Sequence, residues 1–135
     1  MTNEAVLIYE TSIPIPFTVA DGTGIEKGAI LKNADPMTAS LAVAKEDIIA
    51  GIAASEKIAS DGKTKLGVYR SGIFKVLASG TITVGDACIT SAVAAGNIVE
   101  SAGVNGEDIV GIALETAGDG ETFLMELKPF SMNLA

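Results

Sequence analysis

The sequence contains no histidine and no tryptophan, and it has a single cysteine. Without histidine, His-based triads, Cys–His pairs and imidazole-ligated metals are excluded. The lone Cys88 excludes thiolate zinc sites and any internal disulfide. Its apolar setting, residues 86–90, reads as that of a small buried hydrophobe. Aromatic residues amount to four phenylalanines and two tyrosines. That leaves few walls for a ligand pocket and few platforms on which a sugar could stack. Positive charge is short too: nine Lys and Arg face seventeen Asp and Glu, for a net charge of −8. Phosphate backbones and anionic membrane surfaces require a positive field, so neither nucleic acid nor membrane is an expected partner. The longest apolar run, residues 48–54 with Gly51 inside it, is too short to span a bilayer. Met1-Thr2-Asn3-Glu4 lacks a basic n-region, so no secretion signal is expected and synthesis is expected in a cytoplasm.

Motifs that could carry chemistry fall short. Asp61-Gly62-Lys63-Thr64 ends like a phosphate-binding loop, but Lys57 stands where the leading glycine belongs and a strand follows instead of a helix. Gly22, Gly24 and Gly28 miss the dinucleotide spacing by one residue. No Gly-x-Ser-x-Gly elbow occurs. The carboxylate pairs Glu46-Asp47 and Glu107-Asp108 are sequence neighbours, which point to opposite faces of a strand and cannot flank one substrate. No catalytic, metal or cofactor-binding residue is therefore assigned, and no cofactor is expected.

The chain has 48% apolar residues, mostly Ala, Ile, Val and Leu, which suits one closely packed domain. Turn signals recur at Asp21-Gly22, 33–36, Asp61-Gly62, Ser71-Gly72, Gly85-Asp86, Gly96-Asn97, Asn105-Gly106 and Asp119-Gly120. Between them lie strand-length runs at 29–32, 48–55, 65–70, 73–78, 87–90, 98–101, 109–116 and 122–127. Residues 38–45 are ambiguous and fit one or two helical turns. The expected class is all-β, a small barrel or sandwich.

Residues 1–20 stand apart. Two apolar runs, 5–9 and 13–19, are interrupted by Pro14 and Pro16, which favour an extended arm or an edge strand. Residues 21–135 read as a single barrel-like domain that repeats itself. Ile25-Glu26-Lys27-Gly28-Ala29-Ile30 parallels Ile82-Thr83-Val84-Gly85-Asp86-Ala87. Ile48-Ile49-Ala50-Gly51-Ile52-Ala53 parallels Ile109-Val110-Gly111-Ile112-Ala113 after a one-residue gap. Each copy continues into an Asp-Gly turn and an alternating strand. The halves run over about 25–78 and 82–128, two copies in one order, as an internally duplicated barrel requires. The glycine of each Gly-Ile-Ala sits mid-strand, where a bend or close backbone approach is expected.

Charge is uneven as well. Lys57, Lys63, Lys65, Arg70 and Lys75 cluster against Asp61, while the chain from Val76 on is acidic with Lys128 alone opposing it. Such asymmetry suits head-to-tail packing, with Lys63, Lys65 and Arg70 as candidate subunit-interface residues.

Several of these segments together resemble the phage head-decoration proteins, the lambda type being the more distant likeness. They are Ile48-Ile49-Ala50-Gly51-Ile52-Ala53, Val68-Tyr69-Arg70-Ser71-Gly72-Ile73-Phe74-Lys75-Val76, Ile82-Thr83-Val84-Gly85-Asp86 and Val110-Gly111-Ile112-Ala113-Leu114-Glu115, and the likeness runs over about residues 13–128. The resemblance implies a non-enzymatic cement protein on the capsid exterior of a virion. Its partners would be the major capsid protein and itself, as a homotrimer at three-fold and quasi-three-fold positions, stabilising the expanded shell against packaged DNA. It also implies an N-terminal segment that reaches the capsid. Ile13, Ile15 and Phe17 share one face of an extended arm, so Ile13, Pro14, Ile15, Pro16 and Phe17 are the expected capsid contacts. A tail or baseplate β module and a carbohydrate-binding or hydrolytic β module are the competing readings.

Overall fold

A computed structural model describes residues 4–42, 48–90, 98–101 and 108–131. Among the described residues there is no helix. Eleven strands follow one another: β1 (Val6–Tyr9), β2 (Ile15–Thr18), β3 (Ile30–Ala34), β4 (Thr38–Leu41), β5 (Ile49–Ala53), β6 (Lys65–Tyr69), β7 (Gly72–Ala78), β8 (Ala87–Thr90), β9 (Ile98–Ser101), β10 (Asp108–Ala113) and β11 (Thr122–Ser131). The turn signals at Asp21-Gly22, Asp61-Gly62, Gly85-Asp86 and Asp119-Gly120 fall between them, whereas β3 runs on through Asn33 and Ala34 and β7 begins at Gly72; Gly96-Asn97 and Asn105-Gly106 lie outside the described residues. Gly62 and Gly120, in the two Asp-Gly turns, have φ of 85° and 80°, which a Cβ disfavours.

The strands close into two small barrels, so the all-β expectation holds. In the first, β2, β4, β3, β5 and β6 close on themselves, with β2 parallel to β4 and antiparallel to β6. In the second, β7, β9, β8, β10 and β11 do the same, with β7 parallel to β9 and antiparallel to β11. The two strand orders are identical. The duplication reaches single hydrogen bonds. Gly28 N–H donates to the Ala53 carbonyl at 2.9 Å, and Gly85 N–H donates to the Ala113 carbonyl at 2.8 Å. Ile25 and Lys57 form an isolated bridge in one barrel, and Ile82 and Ala117 form its counterpart in the other.

The mid-strand glycines are one such pair. A Cβ on Gly51 would run into the Tyr69 carbonyl, and one on Gly111 into the Glu126 carbonyl. At each position the neighbouring strand crosses too close for any side chain. Gly51 also has φ of 147°, a value that L-residues avoid.

Alternation decides what is buried. In β7, Phe74, Val76 and Ala78 point inward while Lys75 points out. The first barrel encloses its own core of Phe17, Leu31, Ala50, Leu66 and Val68 among others. A second, larger core contains Phe74, Val76, Cys88, Val110, Phe123 and Met125, and it takes in Ile30, Ile49 and Ile52 from the outer face of the first barrel. β5 is therefore buried on both faces, its inner residues in one core and its outer residues in the other. The barrels pack as one body through that face.

Two expectations need correction. Residues 38–41 form strand β4 and not helical turns, because Thr38–Leu41 pairs along β3 through a turn at 35–37; residues 43–47 lie outside the described residues. Residues 15–18 are also neither a free arm nor an edge strand, since β2 pairs with both β4 and β6. Phe17 pairs with Leu66 in β2–β6, and its ring is buried in the first barrel's core, which favours folding by about 1.5–3 kcal/mol.

Candidate assembly surface

The segment before the first barrel is tied down in an unexpected place. β1 runs antiparallel to β7 of the second barrel, with Val6 opposite Lys75 and Leu7 opposite Phe74. Leu7 packs on the shared core, and Ala5 donates its N–H to the Gly28 carbonyl of the first barrel at 3.2 Å. β1 thus bridges both barrels. Its opposite edge pairs with no strand among the described residues. Val6, Ile8 and Tyr9 stand exposed on it. An edge strand with apolar exposed side chains is a template for a further strand.

Beyond β1 the chain turns through polar contacts. The Thr11 hydroxyl donates to Ser71 Oγ at 2.9 Å, and Ser12 and Ser71 hydroxyls lie 2.7 Å apart. The Tyr69 hydroxyl donates to Glu10 at 3.0 Å; burial, then this carboxylate, raise the Tyr69 pKa above its usual 10.0. Ile13 follows at 77% exposure, then Pro14 and Ile15. Of the five residues expected to touch a shell, Ile13, Ile15 and Pro16 are exposed and Pro14 is half-buried, whereas Phe17 is buried. The cleft between β1 and the barrels, lined by Glu4, Ala5, Leu7, Lys27, Tyr69 and Phe74, holds about 250 Å³. That is smaller than the roughly 300–1,000 Å³ clefts that hold drug-sized ligands.

The basic residues serve different ends. The Arg70 guanidinium donates to the carbonyls of Ile49 and Ala50 at 3.2 and 2.8 Å, bracing β5. Lys65 donates to Thr18 Oγ1 at 2.9 Å, and Lys63 remains exposed. Lys57, grouped with them in the sequence, is instead 1% exposed. Its ammonium lies 2.9 Å from Asp21 Oδ1 and 2.7 Å from Asp61 Oδ1, and also donates to the Asp21 and Ile58 carbonyls. Burial alone would depress its pKa, but hydrogen bonds to Asp61 and Asp21 outweigh this and raise it above 10.5. The Lys57 hydrogen bond, helped by the Lys63 N–H, lowers the Asp61 pKa below 3.8. The second barrel places Ala117 at the position of Lys57, and the Ala78 carbonyl there accepts from Gly120 N–H at 3.0 Å. An ion pair in one copy is thus replaced by small apolar packing in the other. The sequence signal was present, since carrying the match of Gly51-Ile52-Ala53 with Gly111-Ile112-Ala113 four residues further aligns Lys57 with Ala117.

Asp108 is buried at the start of β10, and Glu46, Asp47 and Glu107 lie outside the described residues. Cys88 is buried, and that burial, then the charge of Asp86, push its thiol up to about 12. It is no nucleophile at neutral pH.

No protein-family model matches the chain, and no curated protein matches it. Among solved structures, the fold is similar to that of the N base of head fiber gp8.5 of bacteriophage phi29. The TM-score is 0.55 at 20% identity, over 84% of this chain and 93% of that one. At such identity the likeness establishes a shared fold.

Proposed function

We propose that this chain is a structural protein of a tailed-virus head that binds the outside of the capsid and has no catalytic role. The observation that carries the reading is the free, apolar outer edge of β1 on a fold shared with a phage head-fiber base. An extended segment of a shell protein can add to that edge, gaining backbone hydrogen bonds without a pocket. Val6, Ile8 and Tyr9 supply the apolar contacts. The segment facing the shell is thereby moved from residues 13–17, where Pro16 and Phe17 belong to the first barrel, to residues 6–9.

Three such edges on one homotrimer would bind more tightly than one, through effective concentration. Placed at three-fold and quasi-three-fold positions of the expanded shell, a trimer would clamp neighbouring capsid subunits against the pressure of packaged DNA.

The test is co-sedimentation of the purified protein with compact and expanded shells of the virus that encodes it. Saturable binding to expanded shells, lost in Val6→Asp/Ile8→Asp but kept in Lys63→Glu, is the expected result. Recovery of the protein only from tails, or binding indifferent to the β1 variant, would overturn the reading. Deleting the whole N-terminal segment is unsuitable, because it removes β2 and opens the first barrel.

A further inference from the structure

The two barrels are copies, yet their equivalent outer faces have different fates. In the first barrel the corner at Gly28 is closed: a side chain there would meet Glu4 and Ala5. Ile30 and Ile52 beside it are fully buried in the core shared with the second barrel. In the second barrel the corner at Gly85 is open, and a Cβ added there would meet nothing within 4 Å. Ala87 and Ile112, paired across β8 and β10 where Ile30 and Ile52 pair across β3 and β5, are only partly buried. Val84 and Leu114 flank them at 58% and 40% exposure. The face that joins barrel one to barrel two is thus repeated on barrel two without a partner among the described residues.

The receiving end has a copy as well. Barrel two takes barrel one where β7 begins and where Leu127 of β11 pairs with Gly72, with Phe74 meeting the Tyr69 ring edge-on at 5.7 Å. In barrel one the equivalent end is where β2 begins, and there Ile13 and Ile15 stand exposed. Among the described residues the molecule therefore presents an unused copy of its joining face and, at the start of β2, an exposed apolar end for that face to meet. Charge favours their meeting over a like-with-like contact. From residue 15 to 71 seven acids and seven bases cancel, whereas from residue 72 onward eight acids face two lysines. Two second barrels set face to face would repel, and a second barrel against a first barrel would not.

We infer that the chain associates head-to-tail with a second copy, the Val84–Leu114 face of one protomer seated on the Ile13–Ile15 end of the next. The contact continues the intramolecular barrel interface into an intermolecular one. A contact of this heterologous kind closes into a ring when its rotation permits. It deepens the self-association part of the proposed function and does not depend on capsid binding, because it is read on the free protein.

The experiment uses single-cysteine additions to the full chain, in which natural Cys88 is buried. Ile13→Cys and Leu114→Cys variants are oxidised separately and as an equimolar mixture, and masses are read by denaturing electrophoresis. Sedimentation velocity of the unmodified protein is run alongside over a hundredfold concentration range. The expected result is a covalent dimer in the mixture alone, and an oligomer in the unmodified protein that Leu114→Asp and Ile13→Asp each reduce to monomer. Crosslinks within Leu114→Cys alone would show a like-with-like contact and overturn the inference. A monomer at every concentration would overturn it as well. Loss of shell binding with the oligomer intact would instead count against the β1 edge and leave this inference standing.

Discussion

Replacing Gly51 by alanine separates two physical effects that the duplication sets side by side. At Gly51 a methyl group would be strained by φ of 147° and would also collide with the Tyr69 carbonyl. At Gly111 only the collision with the neighbouring strand, at Glu126, applies, since no left-handed φ is found there. At Gly62 only the left-handed backbone applies, for its surroundings are open. A left-handed non-glycine residue costs about 1–2 kcal/mol, and forcing an extra methyl into a packed site costs about 1–3 kcal/mol. Gly62→Ala should therefore lose about 1–2 kcal/mol, and Gly111→Ala about 1–3 kcal/mol. Gly51→Ala should lose about 2–5 kcal/mol, the two effects together. At roughly 4 °C per kcal/mol for a chain of this size, Gly51→Ala lowers Tm by about 8–20 °C. The assay is urea and thermal unfolding followed by far-ultraviolet circular dichroism. A Gly51→Ala variant no less stable than Gly62→Ala would refute the close approach of β5 and β6 and the bend it imposes.

Other perturbations test the rest. Because the larger core draws on both barrels, Phe123→Ala should lose about 3–5 kcal/mol and both barrels should unfold in one transition; two resolved transitions would contradict the shared core. The Asp61 carboxylate, held below 3.8 by Lys57, stabilises the fold above pH 3.8, and that contribution disappears as pH falls through its folded value. Asp61→Asn should flatten this acid limb in pH-dependent unfolding, and an unchanged limb would assign it to another group. Removing Lys57 alone should strand two carboxylates, whereas Lys57→Ala with Asp21→Ala imitates the alanines of the second barrel. A double-mutant cycle should show the pair less damaging than the sum of the singles. Cys88 should resist an aromatic disulfide reagent at pH 8 when folded and react once unfolded in urea. Its raised pKa also means stability falls as pH climbs from 9.0 toward about 12, and rapid labelling of the native protein would contradict its burial.

The expected phage head-decoration likeness rests on strand and turn motifs, and the fold that those motifs make is also that of a head-fiber base. Strand and turn motifs report local geometry, so they identify architecture more surely than attachment. The N-terminal segment shows the limit. Its two prolines argued for an arm or an edge strand, yet residues 15–18 form β2 between β6 and β4; Pro16 is accommodated because β2 meets β4 only at Thr18, and Phe17 fills the barrel's core. Meanwhile Val6–Tyr9 attaches across to the second barrel. Sequence spacing carries no information about which of two similar barrels a strand will join.

The sequence by itself determined the all-β class, the two copies about 58 residues apart, the turn glycines and the close approach at each Gly-Ile-Ala. These are local properties, set by backbone sterics and the two-residue period of a strand, and they read directly from residue order. Tertiary structure decided what distinguishes the copies. It buried Lys57 between Asp21 and Asp61 where the other copy has alanine, and it covered the Ile30–Ile52 face of the first barrel while leaving the Ala87–Ile112 face of the second uncovered. Equivalent sequences have equivalent faces. Which of those faces finds a partner depends on contacts between residues far apart in the chain, and only the packed molecule contains them.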